Sequence, residues 1–322
     1  MNPTTPEAPF ALARFREGAD VRLGLVAGER IRPIRPEELG AADLNAFLAA
    51  PDWERIAGLA SEDAGEWRQL TDVTLTAPVQ PRQVLQAGAN YREHVIELVA
   101  AGLTQNTDRT PEEAREFAAK MMDDRAANGE PYFFIGLPAC VVGDDVPLTL
   151  PAYSEVHDWE LELAVVIGRE AFQVKREDAL DHVAGYTIVN DVTTRDLVFR
   201  KDMKEIGTDW YRAKNAPGFL PTGPFLVPAP FVDGANLGLR LELNGQAMQN
   251  GSTSDLLFDI AALISGASQT MPLLPGDLLL TGSPPGNGQH WKRFLRDGDV
   301  MTGSIDGLGT QVVRCIAAEP AK

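Results

Sequence analysis

Between Trp159 and Gly168 the chain reads WELELAVVIG. A short run this rich in leucine and β-branched residues is the pattern of a strand covered on both faces. Yet Glu160 and Glu162 alternate with the apolar residues, and the period-two geometry of a strand sends both to one face, with Cα atoms roughly 7 Å apart. Like charges on one face repel, and burying even one of them is costly unless something positive lies between. A divalent cation removes the conflict; a solvent-facing strand carrying two acids is the alternative. A second apolar strand, YTIVND, ends on Asp191 where a loop begins. Two glutamates and an aspartate make an all-oxygen ligand set suited to Mg²⁺, Mn²⁺ or Ca²⁺, whereas softer metals favour Cys or His. Three carboxylates on an octahedral ion leave positions open for water or substrate oxygens.

The rest of the composition narrows the setting. Of 322 residues, 46 are acidic and 29 basic, a formal charge of −17. A groove that tracks phosphates needs clustered Lys and Arg, and no such run exists, so nucleic acid is an unlikely partner, as is an anionic membrane surface. Cys140 and Cys315 sit in apolar stretches and are expected to be buried thiols, since two cysteines cannot build a disulfide framework. The N-terminus MNPTTPEAPFALARF lacks the basic region and apolar run of a signal peptide, and no window approaches the ~18 apolar residues of a membrane span. A cytoplasmic, soluble enzyme is expected. GxGxxG after a strand, GxxxxGK[ST], GxSxG and HExxH are all missing, which removes the main support for dinucleotide, P-loop, serine-hydrolase and zincin chemistry. His94, His157, His182 and His290 are too scattered to suggest a histidine-rich metal site.

Along the chain, residues 1–80 read as a small N-terminal domain: a β-hairpin turning at Ala27-Gly28-Glu29, then a partly helical stretch with Leu44, Phe47 and Leu48 at helical spacing. Residues 81–322 form the main body. VLQAGA predicts a strand that runs into the helix NYREHVIELVAAG, with Asn90 and Glu93 spaced like a capping box. Thr110-Pro111-Glu112-Glu113 is a second helix start, followed by the apolar stripe Ala114, Phe117, Ala118, Met121 and Met122 and a stop at Asn128-Gly129. From Pro131 onward PYFFIG, LELAVVIG, YTIVND, LRLELN, DLLLTG and TQVVRC predict strands, Asn244-Gly245 a hairpin turn, and 255–267 a helix. Many strands with few helices and much Gly and Pro point to an α+β or mainly β fold with antiparallel or mixed sheets.

The ordered motifs WELELAVVIG, NDVTTRD, AKNAPGFLPTGPF and GDLLLTGSPPGNG, preceded by GANYREHVIEL, resemble those of the fumarylacetoacetate hydrolase (FAH) family over roughly residues 82–318. The resemblance implies that family's mixed β-roll, usually as a homodimer, with Mg²⁺ or Mn²⁺ (Ca²⁺ in some crystals) held by Glu160, Glu162 and Asp191. It implies that Arg195 faces the substrate, that Lys214 helps hold an oxyanion, and that Thr281 contacts the substrate carboxylate. His94 and Glu97 stand at i, i+3 on one helix face and can touch. A carboxylate that fixes one ring nitrogen leaves the other free as a base, so the pair resembles the water-activating His–Glu dyad of acylpyruvate-cleaving relatives.

The activity so implied is hydrolysis of a C–C bond in an acylpyruvate or related β-diketo acid, a 2-oxo acid reaction of the kind met in aromatic catabolism, through an enolate held on the cation. A decarboxylase, hydratase or isomerase on the same fold is the alternative, and a non-catalytic metal-binding or scaffold protein is the reading from another class. Three departures bear on the substrate: Gly136 falls where many relatives carry a lysine, Val198 falls where fumarylacetoacetate-cleaving members carry glutamine, and residues 101–130 form a longer lid.

Overall fold

A computed structural model describes residues 5–319; the first four residues of MNPTTPEAPFALARF, part of the stretch read for a signal peptide, lie outside them. Six strands form the central sheet: β1 (Val84–Gly88), β2 (Tyr132–Gly136), β3 (Leu161–Ile167), β4 (Val183–Asn190), β5 (Val227–Pro228) and β6 (Leu278–Leu280). Their spatial order is β5-β4-β3-β6-β1-β2. β3 runs antiparallel to both β4 and β6, and β6 runs parallel to β1, so the sheet is mixed as expected.

The position of β3 explains its composition. Leu161, Leu163, Val165 and Ile167 face one core, shared with Leu239, Leu241, Met301 and Val313 of a second, five-stranded sheet. Ala164 and Val166 face a different core, shared with Val84, Leu278, Leu280 and the N-terminal residues Phe10, Leu12, Leu25, Phe47, Leu48 and Ile56. Apolar groups must therefore appear at every position of the strand, and the acids that interrupt the run lie at the end of its second face. In the five-stranded sheet, Gly238–Leu243 and Gln246–Ser252 are joined through Asn244 (φ 54°) and Gly245 (φ 84°). Two successive left-handed residues are what a tight hairpin of this twist requires, and the Asn-Gly pair supplies them at least steric cost.

The N-terminal segment is more sheet-like than its sequence pattern indicates. Three strands, Ala11–Glu17, Asp20–Ala27 and Arg30–Pro33, form a meander that Thr74–Thr76 and Arg68–Gln69 extend to five. Leu12 and Leu226 exchange backbone hydrogen bonds of 2.9 and 2.8 Å, and Val79 belongs to the same core as Phe10 and Val84. Packing is thus continuous across residue 80. Both cysteines are free and buried. Among the described residues, no helix is long and apolar enough to cross a membrane.

Helices α1 (Arg92–Asn106) and α2 (Pro111–Asn128) follow β1 and pack on each other as a hairpin. Thr110 and Glu113 make the reciprocal cap expected of them, with Thr110 Oγ1 accepting from Glu113 N at 3.2 Å and Glu113 Oε2 accepting from Thr110 N at 2.9 Å. The stripe on α2 is narrower than its spacing suggests. Ala114, Ala118 and Met122 are buried, the last two against Val95 and Ile96 of α1, whereas Phe117 and Met121 are exposed. Asn90 does not cap α1; the N-cap is Tyr91. The Asn90 side chain, 2% exposed, instead donates to Phe258 O (3.1 Å) and Thr281 O (2.9 Å) and accepts from Phe258 N (3.0 Å). It ties the base of the lid to two distant segments. Its burial excludes the water that could replace those bonds, so Asn90→Ala is expected to cost about 2–4 kcal/mol, each stranded buried group costing about 1–3 kcal/mol. Thermal unfolding measures this, and a melting temperature within a degree of wild type would contradict it.

Candidate metal centre

Glu162 projects from β3, Glu160 from the residue pair just before it, and Asp191 from the first residue after β4. Two backbone links align the strand ends: Asp191 N donates to Glu160 O at 2.8 Å, and Glu160 N donates to the Asn190 side chain at 3.0 Å. One carboxylate oxygen from each of the three acids lies within 4.8 Å of the others. Glu162 and Asp191 are buried at 3% and 1% exposure, and Gly282 N donates to Glu162 Oε2 at 2.8 Å.

The crowding is visible in the ionisation of the acids. Burial, then the neighbouring charges of Asp191 and Glu160, raise the Glu162 pKa well above its ordinary value. Burial likewise pushes Asp191 up to about 6, against the pull of Lys214. Burial also opposes the charge on Glu160, but Arg195 and Lys214 outweigh it and hold that pKa well below the usual range. Asp191 Oδ1 has no hydrogen-bond partner among the described residues. A buried carboxylate oxygen without a donor, amid like charges, is what a hard divalent cation would satisfy, so the donor set fits such an ion.

Two cations share the cluster. Lys214, at the end of α3 (Trp210–Lys214), donates to Glu160 Oε2 and Thr193 Oγ1 at 2.7 Å each and to Asp191 Oδ2. Burial works against the Lys214 charge, but Asp191 and Glu160 prevail and raise its pKa. Its ammonium also lies 5.2 Å from the Phe134 ring and 5.8 Å from Trp210, which stack on each other at 4.7 Å. Arg195 donates from Nε to Asp158 Oδ2 (2.6 Å) and from Nη2 to Glu160 Oε1 (2.7 Å).

Asp158 was not singled out by sequence, although 158, 160 and 162 share the parity that led to the two glutamates. It is fully buried and accepts backbone N–H groups from Trp159 (2.8 Å), Gln289 (3.2 Å) and Gly288, the last two at the start of α5 (Gly288–Trp291), the helix after α4 (Ile260–Ser268). One carboxylate thereby joins Arg195 to the loop containing His290.

The remaining expected residues divide. His94 is part-buried on α1; burial lowers its pKa, with Glu160 opposing and Arg195 and His290 reinforcing the shift. The expected His94–Glu97 pair is not formed. Among the described residues, the ion-pair partner of Glu97 is His290, with Glu97 Oε2 3.4 Å from His290 Nδ1. The helical spacing permits a contact, but His94 turns toward the carboxylates while Glu97 turns outward to α5. Thr281 is fully buried and its hydroxyl donates to Leu163 O at 3.0 Å. That proton is committed to the sheet and not to a substrate carboxylate as placed here.

A mixed α+β scaffold brings three carboxylates and a buried lysine together in a donor set that suits a hard divalent cation. The sequence pattern described as fumarylacetoacetate (FAA) hydrolase C-terminal matches residues 83–315, and the chain belongs to that family. It is 37% identical over 243 residues to a mitochondrial oxaloacetate tautomerase of Xenopus laevis, covering 74% of this chain and 67% of the relative. Among solved structures, a fumarylacetoacetate hydrolase from Exiguobacterium antarcticum aligns with a TM-score of 0.74 at 29% identity, over 96% of this chain and 100% of that one. A maleylpyruvate hydrolase from a Sphingobium species, in complex with manganese(II) and pyruvate, aligns with a TM-score of 0.71 at 27% identity over 96% and 100% of the two chains. The relatives are enzymes of one superfamily that includes hydrolases, isomerases and tautomerases.

Cation binding requires the acids to be ionised, so protons and metal compete. Saturating Mn²⁺ or Mg²⁺ at pH 8 is expected to raise the melting temperature by about 5 °C or more. The rise should shrink as the pH falls toward 6, where Asp191 takes up a proton. Differential scanning fluorimetry across that range checks both statements, and an unchanged rise at pH 6 would remove Asp191 from the ligand set.

Proposed function

We propose that this protein is a divalent-cation-dependent hydrolase that cleaves a C–C bond in an acylpyruvate or related β-diketo acid. The observation that carries the reading is the convergence of Glu160, Glu162 and Asp191 within 4.8 Å with the buried Lys214 ammonium bonded to two of them; His94, whose pKa burial lowers, supplies the base. Glu160, Glu162 and Asp191 would hold Mg²⁺ or Mn²⁺. When bound, such an ion supplies Lewis-acid polarisation of substrate oxygens.

The chain's own residues account for the remaining demands of the reaction. A neutral imidazole at His94 takes a proton from water, which then attacks the distal carbonyl; help of this kind is typically worth about 10²–10⁴-fold. C–C cleavage leaves negative charge on the pyruvate-derived fragment, and the buried Lys214 ammonium is positioned to meet it without reorganisation. Asp158 and Glu160 grip the Arg195 guanidinium on two sides, which fixes its plane for orienting an acid. Glu97, paired with His290, holds the lid helix over the site. The same centre also suits a keto–enol tautomerase, in which His94 would move a proton on the substrate itself. Engagement of Glu97 with His290, and not with His94, favours that second reading, as does the name of the Xenopus relative. A cytoplasmic homodimer is part of the proposal.

The experiment is an assay of acetylpyruvate cleavage and of oxaloacetate tautomerisation with Mg²⁺, for wild type and His94→Ala. His94→Ala is expected to lower kcat by about 10²–10⁴-fold while leaving oxalate binding intact. Cleavage that survives the change would overturn the role of His94, and tautomerisation without cleavage would select the second reading. For wild type, kcat/KM should fall on the acid side as pH drops through a pKa below 6.5, since burial depresses the His94 value and only the neutral ring is a base. An acid limb centred above 6.5 would contradict that assignment.

A further inference from the structure

Away from the metal centre, a cavity of about 490 Å³ lies where the N-terminal sheet meets the segment that leaves β2. That volume is in the range of small-ligand sites. Its position follows from the strand Ala11–Glu17. Ala11, Ala13 and Phe15 face one core and Leu12 faces the other. Arg14 and Arg16 share the parity of Leu12, so they continue its face past the edge of that core. Along the sheet Arg14 is flanked by Leu23 and Thr76, and Arg16 by Val21 and Thr74. Val79, Val141 and Val142 supply apolar walls. The segment after β2 is held in place, since Thr222 N donates to Val142 O at 2.8 Å and Leu137 N donates to the Asn215 side chain at 2.7 Å. The cavity is thus preformed.

The two arginines are unequally satisfied. Arg16 Nε donates to Asp145 Oδ2 at 2.6 Å. The half-buried Arg14 guanidinium has one hydrogen bond among the described residues, from Nη1 to Ala77 O at 3.1 Å, and no ion pair. Burial lowers its pKa, and the charge of Asp145 offsets this only in part. Asp145 offers Arg14 nothing further, because its other oxygen, Oδ1, is buried and meets no donor. A guanidinium carries five N–H donors and cannot shed its charge. Partly withdrawn from water, with a single neutral acceptor, it is poised to receive an anion.

Charge and surface narrow the anion. Around the cavity two guanidiniums stand against Asp145. Asp144, the neighbouring acid, accepts from Val312 N at 3.4 Å, and burial pushes its pKa up to about 7, which limits the charge it adds. The surplus is one positive charge, which one carboxylate matches. The planar fork of Arg14 suits both oxygens of such a group. The valine walls give an inorganic anion nothing to bury, whereas they shield a short aliphatic tail from water.

We infer that this cavity is a second binding site, which takes a small aliphatic monocarboxylate with its head group on Arg14 and its tail against Val79, Val141 and Val142. The inference stands apart from the reading of the metal centre.

The test saturates the Mg²⁺-loaded full chain with oxalate, so that the centre is occupied, and follows three probes by NMR titration: hexanoate, its uncharged amide hexanamide, and inorganic phosphate. Wild type is expected to bind hexanoate at least tenfold more tightly than hexanamide, the size of effect that loss of a charged hydrogen bond produces. Phosphate, an anion without a tail, should also bind at least tenfold more weakly than hexanoate. In Arg14→Gln the hexanoate affinity should fall at least tenfold while oxalate affinity stays within twofold of wild type. The comparison of probes needs no variant, so misfolding of Arg14→Gln leaves the inference testable. Failure of hexanoate to bind, equal binding of acid and amide, phosphate binding as tightly as hexanoate, or an unchanged hexanoate affinity in Arg14→Gln overturns it. Failure of oxalate to bind would overturn the reading of the metal centre, while the comparison of probes still decides this one.

Discussion

Like charges held together out of water are the constraint around which this protein is arranged. Glu160, Glu162 and Asp191 come within 4.8 Å of one another, and the cost of that approach is met by specific neighbours and not by solvent. Lys214 reaches two of the acids, Arg195 reaches Glu160, and Gly282 donates a backbone N–H to Glu162. Each compensating group comes from a different part of the chain: Lys214 from the end of α3, Arg195 from the turn that follows β4, and Gly282 from the loop after β6. The six-stranded sheet has to bring β3, β4 and β6 into register before any of these contacts exists, so the charge cluster and the fold specify one another. Buried ionic groups add little net stability in many proteins but are strongly destabilising when one partner is removed. Such a centre is therefore a means of enforcing one arrangement.

Asp158 extends this logic to the surface. By accepting from Gly288 and Gln289 and from Arg195 at once, it makes the conformation of the α5 loop depend on the same guanidinium that grips Glu160. His290 stands on that loop and meets Glu97 of the lid. A chain of direct contacts therefore runs from the carboxylate cluster through Arg195, Asp158 and α5 to the outer face of α1. That chain ends on the same helix that carries His94.

Much of this could be read from the sequence because it follows from periodicity. Alternation placed Glu160 and Glu162 on one face and marked β3 as covered on both sides, and the Thr110–Glu113 box and the Asn244-Gly245 turn obey local rules that tertiary packing did not override. Errors arose where a residue's partner is remote in sequence. Asn90 has the spacing of a cap, but its bonds go to Phe258 and Thr281. Glu97 has the spacing to meet His94, but a histidine on a distant loop takes it. Thr281 looks like a hydroxyl free for substrate, yet it closes the end of β6 onto Leu163. Asp158 is different, since it shares the alternation of the two glutamates and lies one step before them.

The lid is anchored unequally, and this follows from burial alone. At its base, Asn90 makes three buried hydrogen bonds whose loss strands groups out of reach of water. Farther along α1, the Glu97–His290 pair is exposed on both sides, 38% and 44%, where an ion pair is worth about 0–1 kcal/mol. Val95, Ile96, Ala118 and Met122 form a small buried cluster between the two helices, with Val99, Ala100 and Ala119 packed against it. The hairpin thus coheres as a unit through its own small core, is fixed firmly where it leaves β1, and is held weakly where it crosses the site. A helix attached in that manner can keep His94 aimed at the carboxylates while the weaker contact is made and broken, because the residue that fixes its direction lies only four positions before the histidine.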